Sequence, residues 1–502
     1  MSILKKGDKT YIYPIDEYCK SKGEILVKTD DAYTCTLNQT DIESNKNKFY
    51  IMQIIQVSSS KYVLYIRYGR TGVTGTITYK EFTSPNSAII AFEKQFKSKT
   101  GNNWHSRDNF SKKDSKYFMS EVIYETNQKI DPISKPLDVK SKLDDRVQYL
   151  MKLFSDVDTM NKTLIQLEID PKKMPLGKIS NEQLDKAKDI LKNISDIINK
   201  SITDKKDKTS TSSDDKELVK LSSNFYTFIP YSCGRNKPPI IDNKQRLDNY
   251  NNMIEELKNL AVAIKITDAI KDNVDKHPCD VVYDGLNTTI NPVDKDSNMW
   301  KHICDYVNNT HASTHHYKTD ILDIYQITRK GEENQFNNFS KDINNHALLW
   351  HGSRVTNFCS ILEKGLLLNP ANLGVYITGK MFGYGVYFSD TFSKSFNYCS
   401  TETSNDIGVL LLCEVALGNT LNCTKANSIL GPKDMQKNKC HSTWGQGKQT
   451  PGGEVIVDNI RIPNGKLTDS KINSVLLYNE YIVYNTDQIR QAYLVVVKKK
   501  NK

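Results

Sequence analysis

The spacing of apolar residues changes twice along the chain, and no single sheet or helix bundle accommodates both periods. Near the start the period is two. FYIMQIIQV (Phe49 to Val57) and YVLYIRYGRTG (Tyr62 to Gly72) predict two strands joined by the polar turn SSSK. Gly69, Gly72 and Gly75 mark the turns that follow, and a helix is expected over Ser87 to Lys97. Between about Ser141 and Asp268 the period lengthens to between three and four. Leu143, Val147, Leu150, Phe154 and Val157 then share one helical face, and Leu184, Ala187, Leu191, Ile194 and Ile198 another. A third helix is expected over Leu247 to Ile266, with Tyr250, Ile254, Leu257, Ala261 and Ile264 inward. Ser180 and Gln183 form a capping box for the second helix, and Asp170-Pro171 and Met174 to Gly177 separate it from the first. The polar run Thr203 to Glu217 is expected to be a disordered loop.

From about Lys276 the period returns to two. Strands are expected over Ile321 to Arg329, at LLWHGS, at GVYFSD, over Gly408 to Leu417, over Glu454 to Asp458 and at NEYIVY, with a short helix near Asn357 to Lys364. Strands outnumber helices and do not alternate with them, which predicts a mainly antiparallel α+β domain. Gly383-x-Gly385 leads into a strand, so no dinucleotide-redox fold of the Rossmann kind is supported, and no Walker A loop is present. The expected chain is thus multidomain α+β: a small antiparallel-sheet domain over 1–118, a linker over 119–140, an all-α bundle over 141–268, and the α+β domain over 276–502. The 502 residues suit about three domains at ~100–200 residues each.

Composition narrows the class further. No window approaches the ~18 apolar residues of a membrane span, and MSILKKGDKTYIY lacks a signal peptide's apolar core, so no membrane partner is expected. Ten scattered cysteines without a CxxC pair predict reduced thiols and no metal site. The net charge of +10 suits contact with a polyanion. The stretch KSKTGNNWHSRDNFSKKDSKYF has two readings. It is either a solvated loop, or a nucleic-acid face with Lys97, Lys99, Arg107, Lys112 and Lys113 on phosphates and Trp104 stacked on an exposed sugar or base.

Two polar residues stand in apolar runs: His351 in LLWHGSR and Glu480 in LLYNEYIVY. Burying either without a partner costs about 2–7 kcal/mol for a neutral group and more for a charge. Taken singly, His351 reads as a satisfied core histidine, Tyr387 and Tyr398 as packing aromatics, and Glu480 as an edge carboxylate. Their order changes that reading. LLWHGSR, GKMFGYGVYFSD, SKSFNYC and LLYNEYIVY together resemble the catalytic domain of poly(ADP-ribose) polymerases, over roughly the last two hundred residues. The resemblance implies an NAD ADP-ribosyltransferase with the triad His351, Tyr387 and Glu480. NAD is then a consumed substrate, and no cofactor is needed. It further implies NAD contacts from His351, Gly352, Ser353, Tyr387, Ser395 and Tyr398, an adenosine contact from Glu255, and an acceptor site at Tyr478 and Met381.

IRYGRTG, KEF and FKSKTGNNW resemble the WGR domain, with Tyr68 at the tryptophan position before Gly69 and Arg70. That resemblance implies DNA contact by Tyr68, Arg70, Lys97, Lys99, Trp104 and Arg107. EIDPKKMPLGKIS, NFYTFIP and NKPPI resemble the family's regulatory helical domain, which blocks the NAD cleft until DNA damage loosens it. The implied partners are DNA with strand breaks and protein acceptors, the chain itself included, in a nuclear setting. Tyr384 and Leu367 depart from the family's usual lysine and arginine, and Glu255 from its aspartate, which puts the adenine half of the pocket in doubt. Two other functions remain open: single-unit ADP-ribosylation, and a silent DNA-end-binding scaffold.

Overall fold

The computed structural model describes residues 2–6, 9–29, 31–120, 139–169, 180–203, 212–368 and 381–500. Two compact units emerge, one from Met1–Ile130 with Asn161–Ala261, the other from Asp131–Met160 with Val262–Lys502.

In the first unit, strands β1 (Thr34–Asp41), β2 (Lys46–Ser58), β3 (Lys61–Arg70) and β4 (Thr76–Phe82) form an antiparallel meander. A short strand, Phe118–Ser120, adds to the β1 edge. Alternation sends Leu37, Tyr50, Met52, Ile54 and Leu64 to one face, where helix α1 (Pro85–Thr100) lays Ala88, Phe92 and Phe96 on them. Proline opens α1, and Gly101 closes it at φ 72°, a left-handed conformation that glycine adopts without strain.

Trp104 completes this core. It is 3% exposed, 4.8 Å from the Phe92 ring and 5.1 Å from Phe96, so its expected role in stacking on a base is overturned. The aromatic gap between α1 and the sheet takes the indole because burying so large a ring is worth more than leaving it in water.

Helices α2 (Asp145–Phe154) and α3 (Val157–Gln166) replace the single helical face expected from Leu143 to Val157. Leu143 precedes α2. At the break the Ser155 hydroxyl bonds back to the Met151 carbonyl, and the Asp156 carboxylate accepts the Thr159 N–H at 3.0 Å, which starts a new helix and leaves Val157 37% exposed. Helix α4 (Asn181–Thr203) opens on the expected capping box: the Gln183 N–H donates to Ser180 Oγ at 3.2 Å, and the Ser180 N–H donates to Gln183 Oε1 at 3.4 Å. The expected breaks at Asp170-Pro171 and Met174 to Gly177 lie outside the described residues, as do 204–211 of the expected loop. Ser212 to Glu217 instead begin helix α5 (Ser212–Phe228), followed by α6 (Lys244–Asp272).

Helix α5 is tied to the sheet by polar bonds. The Thr40 N–H donates to Thr227 Oγ1 at 3.1 Å, and the Ile42 N–H donates to Ser223 Oγ at 3.0 Å. Asn47 Nδ2 donates to the Tyr231 carbonyl at 2.8 Å, in the loop that follows.

The second unit holds a seven-stranded sheet. Its order is β5 (Thr288–Pro292), β6 (Lys318–Arg329), Ile489–Lys500, Ile407–Ala416, β7 (His346–Ser353), Ile460–Ile462 and Val455–Val457. Among the described residues of this sheet, only the pairing of β7 with Ile460–Ile462 is parallel. A four-stranded sheet carries β8 (Val386–Phe388), β9 (Glu480–Val483), Ser442–Gly445 and Thr420–Cys423. The Trp350–Ser389 bridge joins the two sheets. Helix α2 docks on this unit through Arg146 Nε, which donates to Asp323 at 2.7 Å, and through Phe154, stacked 5.6 Å from Phe358. All ten cysteines are free, and no helix among the described residues is long and apolar enough to cross a membrane.

Candidate active site

Strand β7 ends where the two sheets meet, and its last residues, His351 to Ser353, are only half-buried. The His351 ring is held from behind. Its Nδ1 lies 2.9 Å from the Tyr387 carbonyl, which only accepts, so Nδ1 carries the proton. Gly352 follows, and here lack of a side chain is essential. A Cβ at this position would lie 1.8 Å from the Ser395 carbonyl oxygen. That close approach sets the short helical turn Phe392–Phe396 directly against the strand, and Ser395 Oγ donates to the Trp350 carbonyl at 3.2 Å.

The phenol of Tyr387 is pinned at both ends. Its hydroxyl donates to the Gly383 carbonyl at 2.8 Å and accepts the Phe382 N–H at 2.9 Å. Burial raises it well above its ordinary pKa, with the nearby Glu480 carboxylate and Tyr398 phenol adding to the rise, so the ring stays neutral. Tyr398 is 63% exposed and offers an open ring face.

Glu480 begins β9, opposite Tyr387 and Phe388 on β8 through the Tyr387–Ile482 and Phe388–Tyr481 register. Its side chain is 14% exposed, and Oε1 pairs with Lys394 Nζ at 2.8 Å. Oε2 is buried with no hydrogen-bond partner among the described residues. The lysine also donates to the carbonyls of Tyr478 at 3.1 Å and Asn479 at 3.3 Å. Burial pulls the Lys394 ammonium below its ordinary pKa, and the Glu480 charge pushes it back up. His351, Gly352, Tyr387, Ser395, Tyr398 and Glu480 thus collect at one junction of the two sheets.

Three stretches match known domains. Residues 297–499 match the poly(ADP-ribose) polymerase catalytic domain, residues 141–283 its regulatory domain, and residues 33–111 the WGR domain. The human poly [ADP-ribose] polymerase 2 is 34% identical over 517 residues, covering 99% of this chain and 84% of the relative. The chain belongs to the poly(ADP-ribose) polymerase family. Poly [ADP-ribose] polymerase 2 of Arabidopsis thaliana is 36% identical over 98% of this chain and 77% of its own length. Poly [ADP-ribose] polymerase 1 of Xenopus laevis is 38% identical over 96% of this chain. The chain spans 47% of that relative's length, about half.

Other residues expected at the site fall as follows. Ser353 Oγ accepts from Asn357 Nδ2 at 3.0 Å. Tyr478 is buried, its hydroxyl 2.5 Å from Thr314 Oγ1, and Met381 packs against the small core around Phe382. Leu367 is 65% exposed. Glu255 lies on α6 in the other unit and pairs with Lys188 at 2.6 Å. Lys394 was missed, although its signal was present: a cation set between two serines in SKSFNYC, within the block that carries Ser395 and Tyr398.

In the WGR sheet, Tyr68 is 40% exposed and stacks on Tyr50 at 5.5 Å, while Lys99 sits 4.8 Å over the same Tyr50 ring. Lys97, Lys112 and Lys113 are exposed. Lys48 was not expected here. It lies 5.4 Å over the Tyr117 ring, whose centroid is 5.8 Å from the Tyr50 ring that Lys99 covers, and burial, then the charges of Lys46 and Lys99, lower its pKa. Two residues expected on phosphates have partners within the protein. Arg70 donates to the carbonyls of Asn45, Gly234 and Asn236, and Arg107 pairs with Asp31 and lies 4.2 Å over Trp104. Both guanidiniums already donate charge-assisted bonds within the protein, to carbonyls and a carboxylate fixed by the fold.

Proposed function

We propose that this chain is an NAD ADP-ribosyltransferase that builds poly(ADP-ribose) on proteins, itself included, when DNA strand breaks engage its WGR domain. The observation that best supports this reading is the Glu480 carboxylate: one oxygen is fixed by Lys394, and the other is buried beside Tyr387 with no partner among the described residues. A carboxylate oxygen left without a bond costs stability unless a substrate group completes it.

Nicotinamide would lie between the Tyr387 and Tyr398 rings, its amide against the Gly352 backbone and the Ser395 hydroxyl. His351 would hold the adenosine ribose hydroxyls, and Ser353 would line the same wall. Glu480 Oε2 would accept a hydrogen bond from the nicotinamide ribose 2-hydroxyl. The C–N glycosidic bond breaks, nicotinamide leaves with the bonding pair, and positive charge gathers on the ribose as in glycoside hydrolysis. Acceptor oxygen then bonds to the ribose carbon and releases its proton to water. A fixed carboxylate beside that developing charge is preorganised electrostatics, worth ~10²–10³ in rate. Met381 and Tyr478 would border the acceptor.

On the DNA side, Lys46, Lys48, Lys97 and Lys99 supply the charge and Tyr68 the exposed ring. Arg70 and the α5 bonds to β1 connect that face to the helical region. Local opening of those helices would release a block on NAD entry. A nuclear setting follows from DNA as the activating partner.

The deciding experiment is automodification with labelled NAD, with and without nicked DNA. A DNA-stimulated ladder of long products is expected. A single-unit product would leave only mono-ADP-ribosylation, and no label in either condition would end the enzymatic reading.

A further inference from the structure

Asp390 lies just before the turn that carries Lys394 and Ser395, and its carboxylate is 2% exposed. Oδ2 accepts from Asn479 Nδ2 at 2.7 Å and from the Tyr481 hydroxyl at 3.0 Å, and Oδ1 accepts from Thr391 Oγ1 at 3.3 Å. Asn479 is 1% exposed, and the rest of its polar atoms are committed as well. Its Oδ1 accepts the Gly447 N–H at 2.7 Å, and Nδ2 also donates to Thr450 Oγ1 at 3.0 Å. Its carbonyl accepts from Ser389 Oγ at 3.0 Å and from Lys394 Nζ at 3.3 Å. Glu480 is the next residue. The Asp390–Asn479 bond therefore ties the segment bearing Tyr387, Lys394 and Ser395 to the one bearing Glu480, one residue from the carboxylate itself.

A buried carboxylate is a costly way to fill space, since an apolar side chain of similar size packs at no desolvation penalty. The geometry points to Asp390 as a positioning residue: through Asn479 and Lys394 it holds the Glu480 carboxylate in the attitude that ADP-ribosyl transfer requires, without touching NAD. This rests on the proposed role of Glu480.

The electrostatics give the role a signature that packing alone lacks. Burial lowers the Lys394 pKa, while the Glu480 and Asp390 charges raise it; Lys394 also acts on His315 across the turn. Burial raises Asp390 itself, opposed by Asn479, Tyr481 and Lys394, and its charge acts on the Tyr306 and Tyr481 phenols. Neutralising Asp390 removes one of the two carboxylates that keep Lys394 protonated. Lys394 then loses its proton at lower pH, and the alkaline limb of kcat moves to lower pH.

The test uses the full chain with nicked DNA and follows NAD consumption. Asp390→Asn is expected to lower kcat by ~10- to 100-fold, with the KM for NAD within about twofold and the alkaline limb displaced downward. Tyr481→Phe removes the second bond to Asp390 Oδ2 but spares Asn479, and should keep kcat within about twofold. Asn479→Ala breaks the link from the opposite end and should reproduce the kcat loss even if Asp390→Asn does not fold, with heat unfolding and benzamide binding as the checks on folding.

An unmoved limb, a Tyr481→Phe loss equal to that of Asp390→Asn, or an Asn479→Ala variant with full kcat overturns the proposal. A wild-type chain that consumes no NAD overturns the enzymatic reading with it. An active wild type with an unaffected Asp390→Asn overturns the positioning role alone.

Discussion

Replacing Gly352 by alanine tests whether the closest backbone approach at the site is as important as its geometry implies. The new Cβ would lie 1.8 Å from the Ser395 carbonyl oxygen and 2.7 Å from its carbonyl carbon, where real Cβ atoms stay beyond 3.0 Å. Relief requires the strand and the Phe392–Phe396 turn to part by at least 1.2 Å, and the obstacle is backbone, so no rotamer change supplies it. Ser395 and Lys394 ride on that turn. Their displacement would separate the Ser395 hydroxyl from Gly352 and strain the 2.8 Å Lys394–Glu480 pair. Overpacking of this kind costs about 1–3 kcal/mol of stability, and misplacement by ~1 Å costs ~10²-fold in rate. The assay is NAD turnover, with benzamide affinity by calorimetry as a separate measure of the nicotinamide end. Both should fall. Benzamide affinity and kcat within about twofold of wild type would refute the argument, because the turn would then have moved without consequence.

Glu480→Gln keeps the shape and a bond to Lys394 but removes the charge; polymer should be lost while NAD binding, measured by calorimetry, suffers less. Lys394→Met leaves a carboxylate that is 14% exposed without its cation, which should cost about 3–5 kcal/mol in denaturant unfolding of the second unit and lower kcat by ~10²-fold. Leu191→Ala opens a cavity at a fully buried position of α4, costing about 2–5 kcal/mol, and should raise the DNA-independent rate of automodification. Lys97→Ala with Lys99→Ala should reduce the salt slope of DNA affinity by about one per lysine, whereas Trp104→Phe should lower thermal stability and leave that slope unchanged.

Much of this protein is legible in its sequence. Period two against period three to four separated sheet from helix, because side-chain direction follows backbone geometry within a few residues. The capping box at Ser180 and Gln183 and the strands around His351 and Glu480 each rest on neighbours a few residues apart, as do the short blocks bearing Gly352, Tyr387, Ser395 and Tyr398. Sequence spacing reports such local order directly.

What it could not report was which groups meet across the chain. Periodicity marked Val157 as inward, yet Ser155 and Asp156 stop the helix and expose it. A tryptophan among lysines resembled a nucleic-acid contact, but Phe92 and Phe96 on α1 close over it. Arg70 resembled a phosphate ligand, and carbonyls 164 and 166 residues away take its donors. Lys394 looked like any surface cation until the fold set it against Glu480, and Asp390 meets Asn479 across 89 residues. The chain's order of residues sets the direction each side chain takes from its own strand or helix. Only the packing of two sheets edge to edge decides which charges share a water-poor space, and there the energy of a pair depends on distance and burial, not on spacing along the chain.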